Sequence, residues 1–385
     1  MIVTSRIDWD VIIIGAGPAG SIAARQCALG GASVLLVDKS VFPRSKVCGC
    51  CLSRVALNAL DEAGLSGAIT ATNGIAFHTL ELCAASRKTR LTVPQGLVLS
   101  RSVLDVTLIE QAIHAGVKFE SSVEAHSGAL VQDRRLVHLR HADHEETLHA
   151  SVVVMASGLA GAAKGERVES IAMKRRIARH SPIGVATILS HGHGYETGVI
   201  HMAVARGGYV GLVVLEDGRL NVAAAFDPRY TKSAGGITNL TSVILQQAGY
   251  PVPHELAQAT WTGTARLTSR PEVTAIERLM LIGDAAGYVE PFTGEGMTWA
   301  ILSGIAVAPI VLQHLGKSSP SPAQLAKRWI ARHHTLLGKR QRTCHAITRL
   351  LRHPMLARVG MNLINQHQGL ANYLIRRVHQ PAKLT

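Results

Sequence analysis

Two hydrophobic periods alternate along this chain. Apolar runs without a polar face occur at Asp10-Val-Ile-Ile-Ile-Gly15, Ser33-Val-Leu-Leu-Val-Asp38, Ser151-Val-Val-Val-Met-Ala156 and Arg278-Leu-Met-Leu-Ile-Gly283. Runs of this kind predict strands of a parallel sheet buried on both faces. Helical spacing separates them. One helix is expected from Pro18 to about Leu29, with proline in its first turn and Gly30-Gly31 as its stop. A second fits residues 53–63 behind Ser53 as cap. Ser102-Val-Leu-Asp105 resembles a capping box, with Asp in place of Glu or Gln, and predicts a helix to about Ala115. Val117-Lys-Phe-Glu then starts another strand. From about 184 to 226 the period changes to strict alternation, with turns such as Glu216-Asp217-Gly218, which predicts an antiparallel sheet. A long helix is expected over 294–315.

The first strand runs into Gly15-Ala-Gly17-Pro-Ala-Gly20, a G-x-G-x-x-G loop between a strand and a helix. Gly15 permits the tight turn, Gly17 lets a pyrophosphate approach the backbone, and Gly20 allows close helix–strand packing. Pro18 and Ala19 open the helix, whose free N–H groups face the phosphates. Asp38 ends the second strand, where a carboxylate can accept ribose hydroxyls and disfavours a 2′-phosphate. These features together predict dinucleotide binding.

A second block separates FAD from NAD. Gly283-Asp284-Ala-Ala-Gly287 follows the last apolar strand, then come Pro291 and Gly294-Glu-Gly296-Met297. Asp284 is placed to accept a ribityl hydroxyl. The N–H groups around Gly296 and Met297 are placed to stabilise negative charge at the flavin's N1 and C2=O. Pro291 would leave one face of the ring open. The expected fold is α/β: a Rossmann-type FAD-binding domain, discontinuous over 1–75, 100–165 and 266–315. An antiparallel β-sheet substrate domain is inserted over 76–99 and 166–265. A basic helical C-terminal segment covers 316–385.

Composition sharpens this picture at three points. Aromatics are only 4% of the chain, so the core must be aliphatic. The start lacks a secretory pattern, and the apolar stretches 11–14 and 300–312 read as too short or too interrupted to span a membrane. A cytoplasmic protein, peripheral at a membrane at most, is therefore expected. The six cysteines read as thiols, and Cys48-Gly49-Cys50-Cys51 lacks a second ligand pair for zinc, so no metal is expected. Net charge is +14, but from Gly296 onward there are 13 Lys/Arg and no acid, while the rest carries 27 basic and 26 acidic residues. The C-terminal segment thus reads as a cationic appendage of amphipathic helices broken near Pro354. Leu350, Leu351, Met355, Leu356, Val359 and Leu363 recur there at helical spacing. Such a segment fits a membrane surface or an acidic acyl-carrier protein, and nucleic acid least, for want of aromatic platforms.

The chain resembles the geranylgeranyl reductase family, within the larger p-hydroxybenzoate hydroxylase-like group of FAD enzymes. The resemblance rests on residues 10–38, Pro43-Arg-Ser-Lys-Val-Cys48-Gly49, Ser100-Arg101-x-x-Leu104-Asp105-x-x-Leu108 and residues 283–304. It implies FAD as cofactor, with Asp38 and the adjoining Lys39 among its contacts. It sets Arg101 along the pyrophosphate or ribityl chain and Cys48-Gly49 beside the isoalloxazine. Cys48 is the candidate catalytic residue, as a proton donor whose thiolate Lys46 would favour. Two departures stand out. Ser157-Gly158 replaces the group's usual Asp-Gly, and Gly207-Gly208-Tyr209 continues as Val-Gly-Leu-Val-Val where the reductases have aromatics. The Trp-rich halogenase motif is absent. Cys48 and Cys51 form a C-x-x-C, but no second glycine-rich nucleotide fold accompanies it. His78, His201, Tyr209 and Tyr288 are weaker candidates for a substrate pocket.

The expected function is an FAD-dependent oxidoreductase acting on a hydrophobic or carrier-bound substrate. C=C reduction with NAD(P)H or another donor comes first. Aromatic or polyketide hydroxylation with NAD(P)H and O2 is the alternative, and a non-enzymatic flavin-binding accessory protein is the second.

Overall fold

The computed structural model describes residues 8–161, 175–290, 292, 294–316, 321–352 and 354–367, with positions 369, 373 and 375. Val11, Ile12 and Ile13 are fully buried, as an apolar run at the centre of a covered sheet must be. Their strand, Asp8–Ile14, lies between Val34–Asp38 and Glu145–Met155, and all three run parallel. Leu279–Leu281 and Lys118–Ser121 extend the parallel set on either side. The early part of Glu145–Met155 also pairs antiparallel with a hairpin, Glu124–Val131 and Arg134–Arg140. That hairpin was not anticipated from sequence: Ala125, Val137 and Leu139 are buried, but charged residues interrupt the alternation.

The second sheet has the spatial order Thr262–Arg266, Ile183–Leu189, Leu220–Phe226, Gly208–Val214, Val199–Ala205, Ile75–Ala84, Arg87–Val98 and Cys51–Leu52. It is not purely antiparallel. Val199–Ala205 pairs parallel with Ile75–Ala84, because the two strands reach the sheet from separate excursions of the chain. Cys51–Leu52 at its edge carries the cysteine segment from one sheet to the other.

Three expectations are corrected. The cap of the helix Arg101–His114 is Ser100, whose Oγ accepts from Val103 N at 3.3 Å, and not Ser102. Ser100 has the extended backbone of a cap, so Ser102 falls inside the first turn and Asp105 is free for another partner. The apolar run at 300–312 is part of a longer helix, Gly296–Leu315, with 20 residues and a mean hydropathy of 1.6, enough to cross a membrane by length and composition. Packing determines its place: 61% of that window is buried, and Gly304 lies against the carbonyl of Ala19 in the glycine-loop helix Pro18–Leu29.

The basic segment is not an appendage. The long basic helix Pro322–Arg352 sends Leu325, Trp329, Leu336, Leu337 and Cys344 into the same core as the first strand and the glycine-loop helix. Trp329 is fully buried, and its Nε1 donates to the Leu281 carbonyl at 2.9 Å. The terminal helix Pro354–Gln366 follows. Met355, Leu356, Val359 and Leu363 on it stay exposed.

Candidate active site

Four loops converge at the carboxyl ends of the parallel strands, on both sides of the point where the strand order turns around Asp8–Ile14. That is where open α/β sheets bind their ligands. The glycine loop is the most constrained. Gly15 has φ +108°, and a Cβ on Gly20 would overlap the Gly15 carbonyl. Over Gly17 the space is open: a Cβ there would meet only the Nη2 atoms of Arg44 and Arg101, each at 3.7 Å. Two guanidiniums thus stand over the N-terminus of the helix Pro18–Leu29.

Those guanidiniums are held from below. Arg101 donates from Nε and Nη2 to the two carboxylate oxygens of Asp105, both at 2.8 Å, one helical turn apart and buried. Asp105 and the Cys48 and Cys50 thiols raise the Arg101 pKa against the opposing effect of burial. Arg44 lies 3.5 Å from Asp105 and 3.2 Å from Asp38, and its buried Nε makes no hydrogen bond. Asp38 is committed in part to the chain itself: Ala16 N donates to Oδ2 at 2.8 Å, and Ser40 N to Oδ1 at 2.9 Å. A carboxylate has about four acceptor sites, so capacity for a ribose hydroxyl remains. Lys39 is exposed at the rim.

Asp284 follows the fourth strand, in the turn Gly283–Ala286. Burial raises its pKa, opposed by Lys46, Arg101 and Arg175. Arg175 donates to the carbonyls of Ala285 (2.7 Å) and Asp284 (3.3 Å) and to Ser269 Oγ (2.8 Å). Lys46 reaches toward Gly158, and burial lowers its pKa, with Arg101 adding to the effect. Arg44, Lys46, Arg101 and Arg175 therefore surround the loops and outnumber the carboxylates of Asp38, Asp105 and Asp284. A dianionic pyrophosphate fits this cradle: open room over Gly17, helix N–H groups, and two guanidiniums standing over them.

Gly294 has φ +73°, and Gly296 and Met297 begin the apolar helix. Pro291 lies outside the described residues. A cleft of about 490 Å³ runs from Lys46, Cys50 and Arg101 to Ile188 and Asn221 on the second sheet. Gly49 is exposed and Cys48 half-buried at this point. Asn221 Nδ2 donates to the Cys48 carbonyl at 3.0 Å. Cys50 takes a left-handed backbone, φ +58°, which brings its N–H to 3.3 Å from Cys48 Sγ. The Cys50 hydrogen bond, then the Arg101 charge, hold the Cys48 thiol down to about 6 against the opposing effect of burial, while Cys50 is pushed up.

The cation that acts on Cys48 differs from the expected one. The chief cation is Arg101 rather than Lys46, and the Cys50 hydrogen bond and the Arg101 charge both favour the thiolate. The two thiols titrate as one system rather than as independent groups. Alkylation of Cys48 by iodoacetamide is expected to rise through pH 6, with Cys50→Ala moving the inflection upward by more than one pH unit. Peptide-resolved labelling rates checks this, and an inflection near that of a free thiol contradicts it.

The weaker candidates separate. His78 is exposed. His201 is buried on the far side of the second sheet, with Nδ1 3.3 Å from Glu81. Tyr209 packs edge-on against Phe292, ring centroids 5.0 Å apart, in an apolar cluster with Leu82, Ala225 and Leu267 that Tyr288 borders. Arg44 lay inside a motif already noted without being singled out, and Asp105 was noted only as part of a capping pattern. Arg175 and Asn221 carried no sequence signal, since only the fold brings them to the loops.

The FAD binding domain family matches residues 8–320. Digeranylgeranylglycerophospholipid reductase 1 of Methanopyrus kandleri is 27% identical over 84% of this chain and 86% of its own length. The protein of the same name from Methanococcoides burtonii is 28% identical over 83% and 79%. Among solved structures, a geranylgeranyl bacteriochlorophyll reductase-like protein from Thermoplasma acidophilum superposes with a TM-score of 0.80, 19% identity and coverage of 97% and 96%. A flavin-dependent brominase superposes with a TM-score of 0.78, 18% identity and coverage of 97% and 93%. At those identities the superpositions speak for the fold.

Proposed function

The chain belongs to the FAD binding domain family and is an FAD-dependent oxidoreductase, and from that premise we propose that it reduces carbon–carbon double bonds in an isoprenoid lipid. The observation that carries this reading is the match, over 84% of the chain, to a reductase whose name specifies a digeranylgeranyl glycerophospholipid. The Cys48–Cys50 pair beside the cleft supports it with a proton held at the cofactor end.

The residues divide the work. Arg44 and Arg101, with the N–H groups after Gly17, bind the pyrophosphate. Asp38 and Lys39 hold the adenosine ribose end, and Asp284 the ribityl chain. Gly283, Gly294, Gly296, Met297 and Pro291 shape the ring's pocket beside Cys48-Gly49. Bound there, FAD supplies two-electron redox chemistry, refilled by NAD(P)H or another donor. Cys50, whose thiol is pushed up by Cys48 and by burial, holds a proton beside Cys48 for the saturation of a double bond. Tyr209, Phe292 and their aliphatic neighbours exclude water from an apolar chain.

The terminal helix places the site at its substrate. Met355, Leu356, Val359 and Leu363 are exposed on the helix that carries Arg358, in a region without acids, which suits an anionic lipid surface better than a soluble carrier. Hydroxylation is the second reading, favoured by one feature: the strand Gly208–Val214 keeps Tyr209 but lacks the further aromatics of the reductases.

One experiment tests all of this. The holoenzyme is reduced by dithionite without O2 and mixed with anionic vesicles containing an unsaturated isoprenoid glycerolipid. Reoxidation with saturation of the lipid is expected, slowed by Leu356→Ser/Val359→Ser. Reoxidation only by O2, with hydroxylation of an aromatic acceptor, would overturn the reductase reading. Equal rates for the double variant would overturn the surface reading alone.

A further inference from the structure

Glu295 is the last residue before the helix Gly296–Leu315, yet it caps nothing: its side chain makes no hydrogen bond to the helix. It is 3% exposed, and its carboxylate has at most the neighbouring Ser53 hydroxyl as a donor. A buried carboxylate in this state is costly unless something else stabilises its charge. Among the described residues, Arg340 and Ser53 face it. Arg340 of the long basic helix brings Nη1 to 3.7 Å from Oε2. Ser53, the cap of the helix Arg54–Glu62, lies beside it with a hydroxyl that also meets Thr298 Oγ1 at 3.0 Å. Thr298 belongs to Glu295's own helix.

The location gives this carboxyl a use. Gly294, Gly296 and Met297 flank it in sequence, and the same first turn is the one that the proposed function sets against the flavin ring. The long basic helix grips this block at three heights: Trp329 on the Leu281 carbonyl, Arg340 on Glu295, and Cys344, whose Sγ donates to the Glu290 carbonyl at 3.3 Å. Glu295 therefore sits between a fixed cation and a place where negative charge arrives.

We propose that Glu295 is a redox-linked proton acceptor: it takes up one proton when two electrons reach the flavin, and Arg340 sets the pH at which it does so. This rests on the reading that FAD binds against the first turn of that helix. The balance is simple. A two-electron donor of the NAD(P)H or dithionite class supplies the electrons, one proton enters the ring, and a second passes from solvent to a Glu295 oxygen. The carboxylate becomes a neutral acid, which offsets the charge left on the ring. Burial already raises the Glu295 pKa to about 7, with Arg340 opposing, so a modest added field suffices to move the proton. The coupling acts through electrostatics, so Glu295 is a positioning residue rather than a catalytic one.

The holoenzyme is titrated anaerobically with dithionite from pH 6 to 9, and the proton stoichiometry is read from the slope of midpoint potential against pH. Infrared difference spectra of the reduced minus oxidised protein are recorded in parallel. A window above pH 7 with two protons per two electrons, and a new protonated-carboxyl band, is expected. Glu295→Gln is expected to lose both, keeping one proton throughout. Arg340→Gln, which retains the carboxyl, is expected to move the window upward by more than one pH unit, and it serves where Glu295→Gln does not fold. An FAD-loaded Glu295→Gln protein with the wild-type slope and band would sink the proposal, as would an unmoved window in Arg340→Gln. A wild-type protein that binds no FAD overturns the proposed function instead.

Discussion

Alanine at Gly20 is expected to break the nucleotide loop before any ligand is added, whereas alanine at Gly17 is expected to spare the fold and weaken FAD binding. The two glycines sit in the same motif but face different constraints. A Cβ on Gly20 would overlap the carbonyl oxygen and approach the carbonyl carbon of Gly15, and the Ala156 side chain lies just beyond. Backbone on two elements would have to move, so a loss of about 3 kcal/mol or more is expected. Gly17 has φ −77°, which any residue adopts, and its nearest neighbours are the ends of two arginine side chains. There the Cβ takes room meant for the ligand. Stability of the ligand-free protein should change by less than about 1 kcal/mol, while the FAD dissociation constant rises at least about tenfold, or 1.4 kcal/mol. Urea denaturation with and without FAD, plus fluorescence titration, separates these outcomes. Equal effects at both positions would show that Gly17 is a packing glycine like Gly20.

The second large effect belongs to Trp329. Truncation to alanine empties a fully buried site in the core shared by the first strand, the glycine-loop helix and the long basic helix. A loss of about 3–5 kcal/mol is expected for an aromatic removed from such a place. Trp329→Phe fills most of the volume but leaves the Leu281 carbonyl without its donor, for about 1 kcal/mol. Leu281 leads directly into Gly283 and Asp284, so both variants are expected to hold FAD less tightly, alanine more so. Midpoints of urea denaturation rank the two. A Trp329→Ala protein as stable as the parent would restore the view of this segment as a loosely attached tail.

That view came from charge, and its failure shows what sequence reading weighs badly. Leu325, Trp329, Leu336, Leu337 and Cys344 follow helical spacing, but 13 cations without one acid dominate the segment's composition. Net charge describes the outer face of a helix and says nothing of its inner one. Local signals fared better. The apolar runs ending at Gly15, Asp38, Ala156 and Gly283 became the parallel strands, because a strand buried on both faces needs little context to identify. The pairing of Val199–Ala205 with Ile75–Ala84 was invisible, since register between distant segments leaves no local trace.

The site was legible in its backbone features and less so in its charges. The glycine loop and the 283–297 block announce themselves through residue types that few other structures require. Arg101 entered through a resemblance, but its fork onto Asp105 follows from a one-turn spacing that also fits an ordinary surface pair. Lys46 is the cation the sequence sets next to Cys48, while Arg101 is the one beside it in space. Arg175 could be found only from the fold, more than a hundred residues from the carbonyls it binds.

The docking of Pro322–Arg352 also bears on how the molecule is made. A ribosome releases the strand Asp8–Ile14 and the glycine loop long before Trp329 and Cys344, yet these belong to one core. Leu279–Leu281, which completes the parallel set beside Glu145–Met155, is likewise late. For most of synthesis the nascent chain therefore carries a nucleotide loop whose supporting layer has not yet been translated. Until Trp329 is made, the aliphatic face that it covers is left open to non-native contacts.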